Sequence, residues 1–365
     1  MLNILFACRP QLFEVPGGDT VQLLKMQQYL QATAGVAVTI SPDPAEIRRE
    51  KYDLVHAFNL FDIDSLEPQV DAARQCGLPV VITTNYWNPL EFFFETSHSL
   101  FHRLARAVLP RQLLYERYCR QKRRRMQSEL ARQQRALEDA ALVLPNSVGE
   151  AAELRRDFGL PAEKFAIVYN AVDFDDIAAA DADFFSAEYG LKDFVLCVGR
   201  FEERKNQLGV IEALAGLDAP LVFIGGVPPY QKPYFAACQK AARRINSVHF
   251  LSGLPQRQVF GAMKSAKVHL LGSWWENTGL VSLEAAMCGC NVVSTDRSPW
   301  QEYFGENAWI IDPADPPAIR HAVEEALQAP VSPALAETIR NKFTWPLAAD
   351  ALTRAYRRVM EQPGQ

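Results

Sequence analysis

The sequence predicts an α/β protein built from two Rossmann-like domains, and three observations carry that prediction. Its 365 residues are enough for two domains of ordinary size. Ten short runs are predominantly apolar and do not alternate regularly with polar residues, as parallel strands buried on both faces should be. Segments with helical spacing separate the runs, which is the pattern of parallel sheets covered by helices on both sides.

In chain order the expected strands are 2–7, 36–40, 54–57, 80–84 and 142–145 in the first half. In the second half they are 194–198, 221–224, 248–251, 268–271 and 292–295. The halves open alike. LNILFAC leads to a loop with Gly17 and Gly18 and then a helix from about Asp19, while FVLCVG leads to Arg200 and a helix from about Lys205. Residues 170–185 are acidic and Ala-rich, which fits a linker followed by loosely held structure. A boundary near residue 172 gives domains 1–171 and 172–345. The closing segment 346–365, a helix from Trp345 to about Glu361, follows no strand and is free to pack back on the first domain.

Composition narrows the function classes. With 48% hydrophobic and 22% charged residues, global disorder and a fibrous architecture are excluded. No apolar run approaches the length of a membrane span. MLNILFAC lacks the positive flank and the apolar length of a secretory signal and reads as a buried strand. Seven scattered cysteines without a C-x-x-C read as reduced thiols, which implies a cytoplasmic protein.

Net charge is −5, yet residues 101–135 hold 11 Lys/Arg and 2 Asp/Glu. Within this segment Tyr115, Cys119, Met126, Leu130 and Leu137 step by four and seven, giving a helix with one apolar seam. One reading is a helix packed on its sheet with a solvated charged face. The other is a contact with an anionic membrane surface, which would hold the protein peripherally on the inner face of the cell membrane. Nucleic acid is set aside, because the remaining chain is acidic and shows no recognition motif.

The segment richest in chemistry is HLLGSWWENTGLVSLEAAMCGCNVVSTD, residues 269–296. A strand ends at Leu271, a loop carries Glu276, and a helix begins near Thr278–Gly279 and stops at Gly289. Ligands of open α/β sheets sit outside the carboxyl ends of strands, and free N–H groups from Gly279 to Val281 suit an anion. Glu276 and Glu284, eight apart, can face one groove, or can be a first-turn carboxylate and an ordinary helix residue. Upstream, GRFEERKN (199–206) places Arg200 and Lys205 just after another strand, where a fork and a point charge could hold a diphosphate or simply be solvated.

Together these segments resemble the retaining glycosyltransferases of family 4, with the two-domain GT-B architecture facing across a cleft. The family pattern places E-x7-E inside S-x-x-E-x-x-G-L…E-A-x-x-x-G, preceded by G-R-x-x-x-x-K-N. This chain reads Ser273, Glu276, Gly279, Leu280, Glu284, Ala285 and Gly289, with Gly199, Arg200, Lys205 and Asn206 upstream. DLVHA (53–57), VYNAVD (168–173, with Ala171 in place of Gly) and QEYFGENAWIIDP (301–313) extend the likeness over nearly the whole chain.

The resemblance implies a retaining transfer of sugar from a nucleotide diphosphate sugar to a glycan or lipid-linked glycan acceptor. The donor sugar nucleotide is then a substrate and no cofactor or metal is required. Arg200 and Lys205 would grip the diphosphate, and Glu284 would accept hydrogen bonds from the ribose. Glu276 and the backbone of Asn277, Thr278, Gly279 and Leu280 would contact the donor sugar, and Gly18 would admit the phosphates closely. Glu276, Arg200 and Lys205 form the expected catalytic set. His56, Asn85, Tyr86 and Trp87 are expected on the acceptor side. His56 is alternatively a satisfied core histidine.

Two departures stand out: Asn85 occupies the place of a family His and cannot take a proton at neutral pH, and Thr278 replaces an aromatic. Three rival readings follow from the residues. Glu91, Glu95, His98 and His102 share a helical face, as metal ligands or as a polar groove wall. A nicotinamide-dependent oxidoreductase is discounted for want of G-x-G-x-x-G after either opening strand. A catalytically weak sugar-nucleotide-binding or scaffold protein of the same fold rests on Asn85 alone.

Overall fold

A computed structural model describes residues 1–14, 17–32, 35–97, 110–245 and 247–361. The chain divides into two compact units, one comprising Met1–Leu90, Ser97–Ala171 and Phe343–Gln365, the other Glu91–Thr96 and Val172–Lys342.

The first unit holds β1 (Leu2–Ala7), β2 (Val36–Ser41), β3 (Leu54–Phe58), β4 (Val80–Thr83) and β5 (Leu142–Leu144). They form a parallel sheet in the order β2-β1-β3-β4-β5. Alternate residues of β1 feed opposite cores, which is why Ile4–Ala7 is an unbroken apolar run. Ile4 and Phe6 pack with Leu23, Met26 and Leu30 of the helix Gly18–Gln31. Leu5 and Ala7 pack with Leu66 and Val70 of the helix Ile63–Gln75.

The closing helix Trp345–Glu361 completes this unit. Trp345, Ala348, Ala349, Leu352, Ala355, Tyr356 and Val359 recur at three- and four-residue steps and enter the same core as Ile4 and Phe6. Tyr356 carries a hydrogen-bonding group into that core and meets the Nδ1 of His56 at 2.7 Å, while the Nε2 of His56 meets Thr83 Oγ1 at 2.8 Å.

The second unit holds β6 (Val195–Val198), β7 (Leu221–Ile224), β8 (Val248–Leu251), β9 (Val268–Leu271), β10 (Asn291–Thr295) and β11 (Trp309–Ile311). All are parallel, in the order β11-β10-β9-β6-β7-β8. The chain leaves β6 toward β7 on one side and returns to β9 on the other. The crevice outside the carboxyl ends of β6 and β9 is therefore the topological switch point of this sheet.

All ten expected strands form, with ends shifted by at most one residue. The edge strand β11 was not anticipated, because three residues make too short a run to stand out. Residues 170–185 are not loosely held, contrary to expectation. Phe185 is fully buried against Phe194, and Lys264 Nζ and Ser265 Oγ donate to the carbonyls of Ala180 and Ala182. The basic segment is two helices, Arg111–Arg125 and Gln127–Asp139, separated at Met126, whose φ of −92° and ψ of 8° depart from helical values. Its portion 101–109 lies outside the described residues. No helix of the described residues is long and apolar enough to cross a membrane.

Candidate active site

The strand-end loop after β6 is shaped by a glycine. Gly199 has φ +149°, and the Lys205 methylenes lie 3.5 Å from where a Cβ would stand. The chain then makes a tight turn over Glu203–Lys205, and Asn206, at φ +56°, redirects it into the helix Gln207–Ala213. The helix expected from Lys205 starts two residues later because a left-handed residue cannot continue a right-handed turn. Asn206 Nδ2 donates to the Pro313 carbonyl at 3.1 Å and fixes that bend.

This path brings Lys205 onto Glu276, with Nζ donating to Oε1 at 2.5 Å. The preceding residue reaches the same atom: Arg204 Nη1 donates to Glu276 Oε1 at 3.1 Å and to the Trp275 carbonyl at 3.0 Å. The Arg204 guanidinium also sits 4.7 Å from the centre of the Trp275 ring, within cation–π range. The carboxylate loop is held from both sides. Trp274 N–H donates to the Arg204 carbonyl (2.8 Å), and Glu276 N–H donates to the Arg297 carbonyl (3.0 Å).

Beyond the loop, Gly279 adopts φ +72° with the Leu271 side chain 3.0 Å from a Cβ position, so a larger residue would be strained and crowded. The helix runs Leu280–Met287, starting one or two residues later than expected because Gly279 is left-handed.

The two glutamates have opposite surroundings. Burial opposes ionisation of Glu276, but Lys205 and Arg204 overcome it and hold its pKa at about 2. Glu284 is half-buried, its carboxylate has no hydrogen bond or ion pair among the described residues, and burial pushes its pKa up to about 8. Arg200 is paired as well, its Nε lying 2.9 Å from Glu202 Oε1. Around these groups, Gln207 Oε1, Asn277 Oδ1 and Ser282 Oγ are buried without a hydrogen-bond partner among the described residues. Buried polar atoms normally find partners, so three orphans around one crevice mark a place that a polar ligand would complete.

In the first unit, Gly18 is the exposed first residue of its helix, with nothing within 4 Å of a Cβ position. His56 is not at a surface. It is fully buried, both ring nitrogens are engaged, and burial lowers its pKa to about 3, so it is a neutral core histidine. Tyr86 is also buried, stacked on Phe61 and donating to Asp157 Oδ2 at 2.8 Å, so its ring has no free face for a sugar. Trp87 is half-exposed.

Asn85, at φ +49°, belongs to a closed ring of amides. Its Nδ2 donates to Gln22 Oε1 (3.1 Å), Gln22 Nε2 donates to Asn146 Oδ1 (2.8 Å), and Asn146 Nδ2 donates to Asn85 Oδ1 (2.7 Å). Each member must both donate and accept, which an amide does and a single imidazole nitrogen does not.

Sequence reasoning missed Arg204, Glu202, Arg297 and Glu150. For Glu150 a signal existed: Ser147-x-x-Glu150 is a capping-box pattern. Ser147 Oγ does accept from Glu150 N–H, but the Glu150 carboxylate turns inward to Thr84 Oγ1 (2.5 Å), Tyr86 N–H (2.6 Å) and Asn146 N–H (2.7 Å). Burial raises its pKa to about 7. Of the residues weighed as metal ligands, Glu91 is held by Arg297 in a two-pronged pair of 2.8 and 3.0 Å, and His98 and His102 lie outside the described residues. Among the described residues no His, Cys, Asp and Glu cluster is arranged for a metal ion.

Comparison with known proteins follows the same division. Residues 37–176 match the model of Glycosyltransferase Family 4, and residues 180–344 match that of glycosyl transferases group 1. One curated relative is the N-acetylgalactosamine-N,N'-diacetylbacillosaminyl-diphospho-undecaprenol 4-alpha-N-acetylgalactosaminyltransferase of Campylobacter jejuni. It is 32% identical over 173 residues, 46% of this chain and 45% of the relative. The chain spans about half the length of the curated relatives it matches.

Among solved structures, sucrose-phosphate synthase from Thermosynechococcus elongatus aligns over 99% of this chain and 100% of its own, with TM-score 0.72 and 18% identity. Anabaena HepE in complex with UDP aligns over 98% and 96%, with TM-score 0.65 and 18% identity. At that identity the likeness is one of fold, and the fold is GT-B.

Proposed function

We propose, from the premise that this chain belongs to the family 4 glycosyltransferases, that it moves a sugar from a nucleoside diphosphate sugar to a glycan or lipid-linked glycan acceptor, retaining the anomeric configuration. The observation that carries the proposal is the grouping of Lys205, Arg204 and Glu276 at the carboxyl ends of β6 and β9, beside three buried polar atoms that lack partners.

In this transfer the bond from the anomeric carbon to the β-phosphate oxygen breaks, and negative charge grows on the diphosphate. Cations fixed where that charge appears lower the barrier most. Arg200 and Lys205 serve that role, so no metal enters the proposal. Glu284, without a protein partner, accepts from the nucleotide ribose, and Glu276 with the backbone of 277–280 faces the donor sugar. The acceptor hydroxyl attacks from the face the diphosphate leaves, and a departing phosphate oxygen takes its proton.

The acceptor class is supported by the printed activity of the Campylobacter relative, which extends a diphospho-undecaprenol-linked sugar. It is also supported by the helix Arg111–Arg125, whose last turn carries Lys122, Arg123, Arg124 and Arg125 and whose Leu113 is exposed, a surface suited to anionic lipid. That contact would place the enzyme peripherally on the cytoplasmic face of the membrane.

A melting-temperature screen against UDP, GDP, ADP and their sugars tests the donor, since a ligand of the folded state raises the transition by mass action. Turnover of the stabilising donor distinguishes an enzyme from a binding protein. Arg200→Ala and Lys205→Ala are expected to lose on the order of 10²–10³ in kcat, the usual loss for one charge-stabilising donor. Near-normal turnover in both variants would refute the assignment.

A further inference from the structure

The cations assigned to the diphosphate are not idle in the free protein. Lys205 neutralises Glu276, and Arg200 neutralises Glu202. Both glutamates are buried. A diphosphate that draws Lys205 and Arg200 toward itself would leave two buried anions without their partners, and an unpaired buried charge costs several kcal/mol. The local count is three cations, Arg200, Arg204 and Lys205, against two anions.

The third cation touches both acids. Arg204 Nη1 lies 3.1 Å from Glu276 Oε1, and its Nη2 lies 3.5 Å from Glu202 Oε2. It is also restrained where it stands, by its bond to the Trp275 carbonyl, by the Trp275 ring beneath the guanidinium and by its own carbonyl accepting from Trp274 N–H. A guanidinium keeps its charge at any working pH and offers a rigid fork to two acceptors. Lys205 has neither property: it is a single flexible ammonium, and it can leave.

We propose that Arg204 is a positioning residue that keeps Glu276 ionised and in place while Lys205 is engaged by the donor diphosphate. The inference rests on the donor reading above. The groups acting on the Glu276 carboxylate are Lys205 and Arg204 from the turn after β6 and Ser273 on its own loop, while the Glu276 N–H donates to the Arg297 carbonyl from the loop after β10. His269 of β9, buried near Lys205, is kept neutral by burial, with a pKa of about 3, and adds no charge. With Arg204 present, Glu276 has a cation whether or not nucleotide is bound. Without it, nucleotide binding strips Glu276 of its partner, and the carboxylate takes a proton instead.

Calorimetric titration of the full chain with UDP, and with GDP and ADP alongside, in buffers of different ionisation enthalpy at pH 6, counts protons taken up on binding. Arg204→Met should take up on the order of one more proton per nucleotide than wild type. Adding Glu276→Gln to that variant should remove the extra proton. A role in holding the loop alone would change affinity without changing the proton count.

Equal uptake by wild type and Arg204→Met overturns the inference, as does extra uptake that survives Glu276→Gln. Lys205→Ala that binds all three nucleotides as wild type does, or wild type that binds none, overturns the donor reading and the inference with it. Weakened binding by Lys205→Ala together with unchanged uptake in Arg204→Met sinks the inference alone.

Discussion

Replacing Glu284 by Gln should stabilise the protein at alkaline pH while impairing nucleotide binding. In the unfolded chain this carboxyl titrates at its ordinary value of 4.5, and in the fold burial pushes it up to about 8. Between those values the folded protein keeps a proton that the unfolded chain has released. Stability from this group is therefore intact below pH 4.5 and is lost as pH rises through the window to 8. At about 1.4 kcal/mol per pH unit of difference, the full window is worth about 5 kcal/mol as an upper bound, and a half-buried group in contact with water retains on the order of 2–3 kcal/mol.

Gln keeps the shape and removes the titration. Wild type and Glu284→Gln should thus match at pH 5, and the variant should be more stable by about 2–3 kcal/mol at pH 8.5. Denaturant unfolding followed by tryptophan fluorescence suits the test, because Trp274, Trp275, Trp300 and Trp309 all lie in the second unit. Glu150, raised to about 7, imposes its own alkaline loss on both proteins and cancels in the difference. A stability difference that stays flat from pH 5 to 9 would show that Glu284 is not held in the environment described.

Two further outcomes are expected. Tyr356→Phe leaves the buried His56 Nδ1 without its partner and should cost about 1–3 kcal/mol, measured by denaturant unfolding, whereas no loss would mean that the helix Trp345–Glu361 docks by apolar contact alone. Replacing Arg117, Arg120, Arg124 and Arg125 together by Gln should weaken co-sedimentation with anionic vesicles by about 1 kcal/mol per charge, with neutral vesicles unaffected; equal binding of wild type to both vesicle types counts against a membrane role for this helix.

The strands were readable because each side of β1 and its neighbours meets a core, so consecutive positions are predominantly apolar. β11 was not, since Trp309–Ile311 is a short edge strand of which only one residue is fully buried. Within the site, Gly199, Lys205, Glu276, Gly279 and Glu284 were recognisable by type and spacing. Their partners were not. Arg204 meets Glu276 across 72 positions, Thr84 meets Glu150 across 66, and His56 meets Tyr356 across 300. No local period encodes such pairs, because they are fixed only when strand ends converge. For His56 the sequence left a cleft residue and a satisfied core histidine open, and a helix arriving from the far end of the chain decides for the core.

Spacing also hid the difference between the two glutamates. Eight positions apart, they could have been taken as a pair acting alike, yet one environment supplies two cations and the other supplies none. Lys205 and Arg204 hold the Glu276 pKa down at about 2, so it is an anion at neutral pH, and its charge is already spent in holding Lys205 and the loop. Glu284 changes charge near neutrality, and its ionised form gains a partner only when something outside the protein donates to it. A ribose hydroxyl is such a donor, and hydrogen bonding to the ionised form pulls the pKa back down. Nucleotide binding should then offset part of the burial penalty that the free protein carries. The destabilised carboxylate and the orphan acceptors of Gln207, Asn277 and Ser282 are thus one phenomenon: polar groups kept short of partners by the fold so that a ligand can supply them.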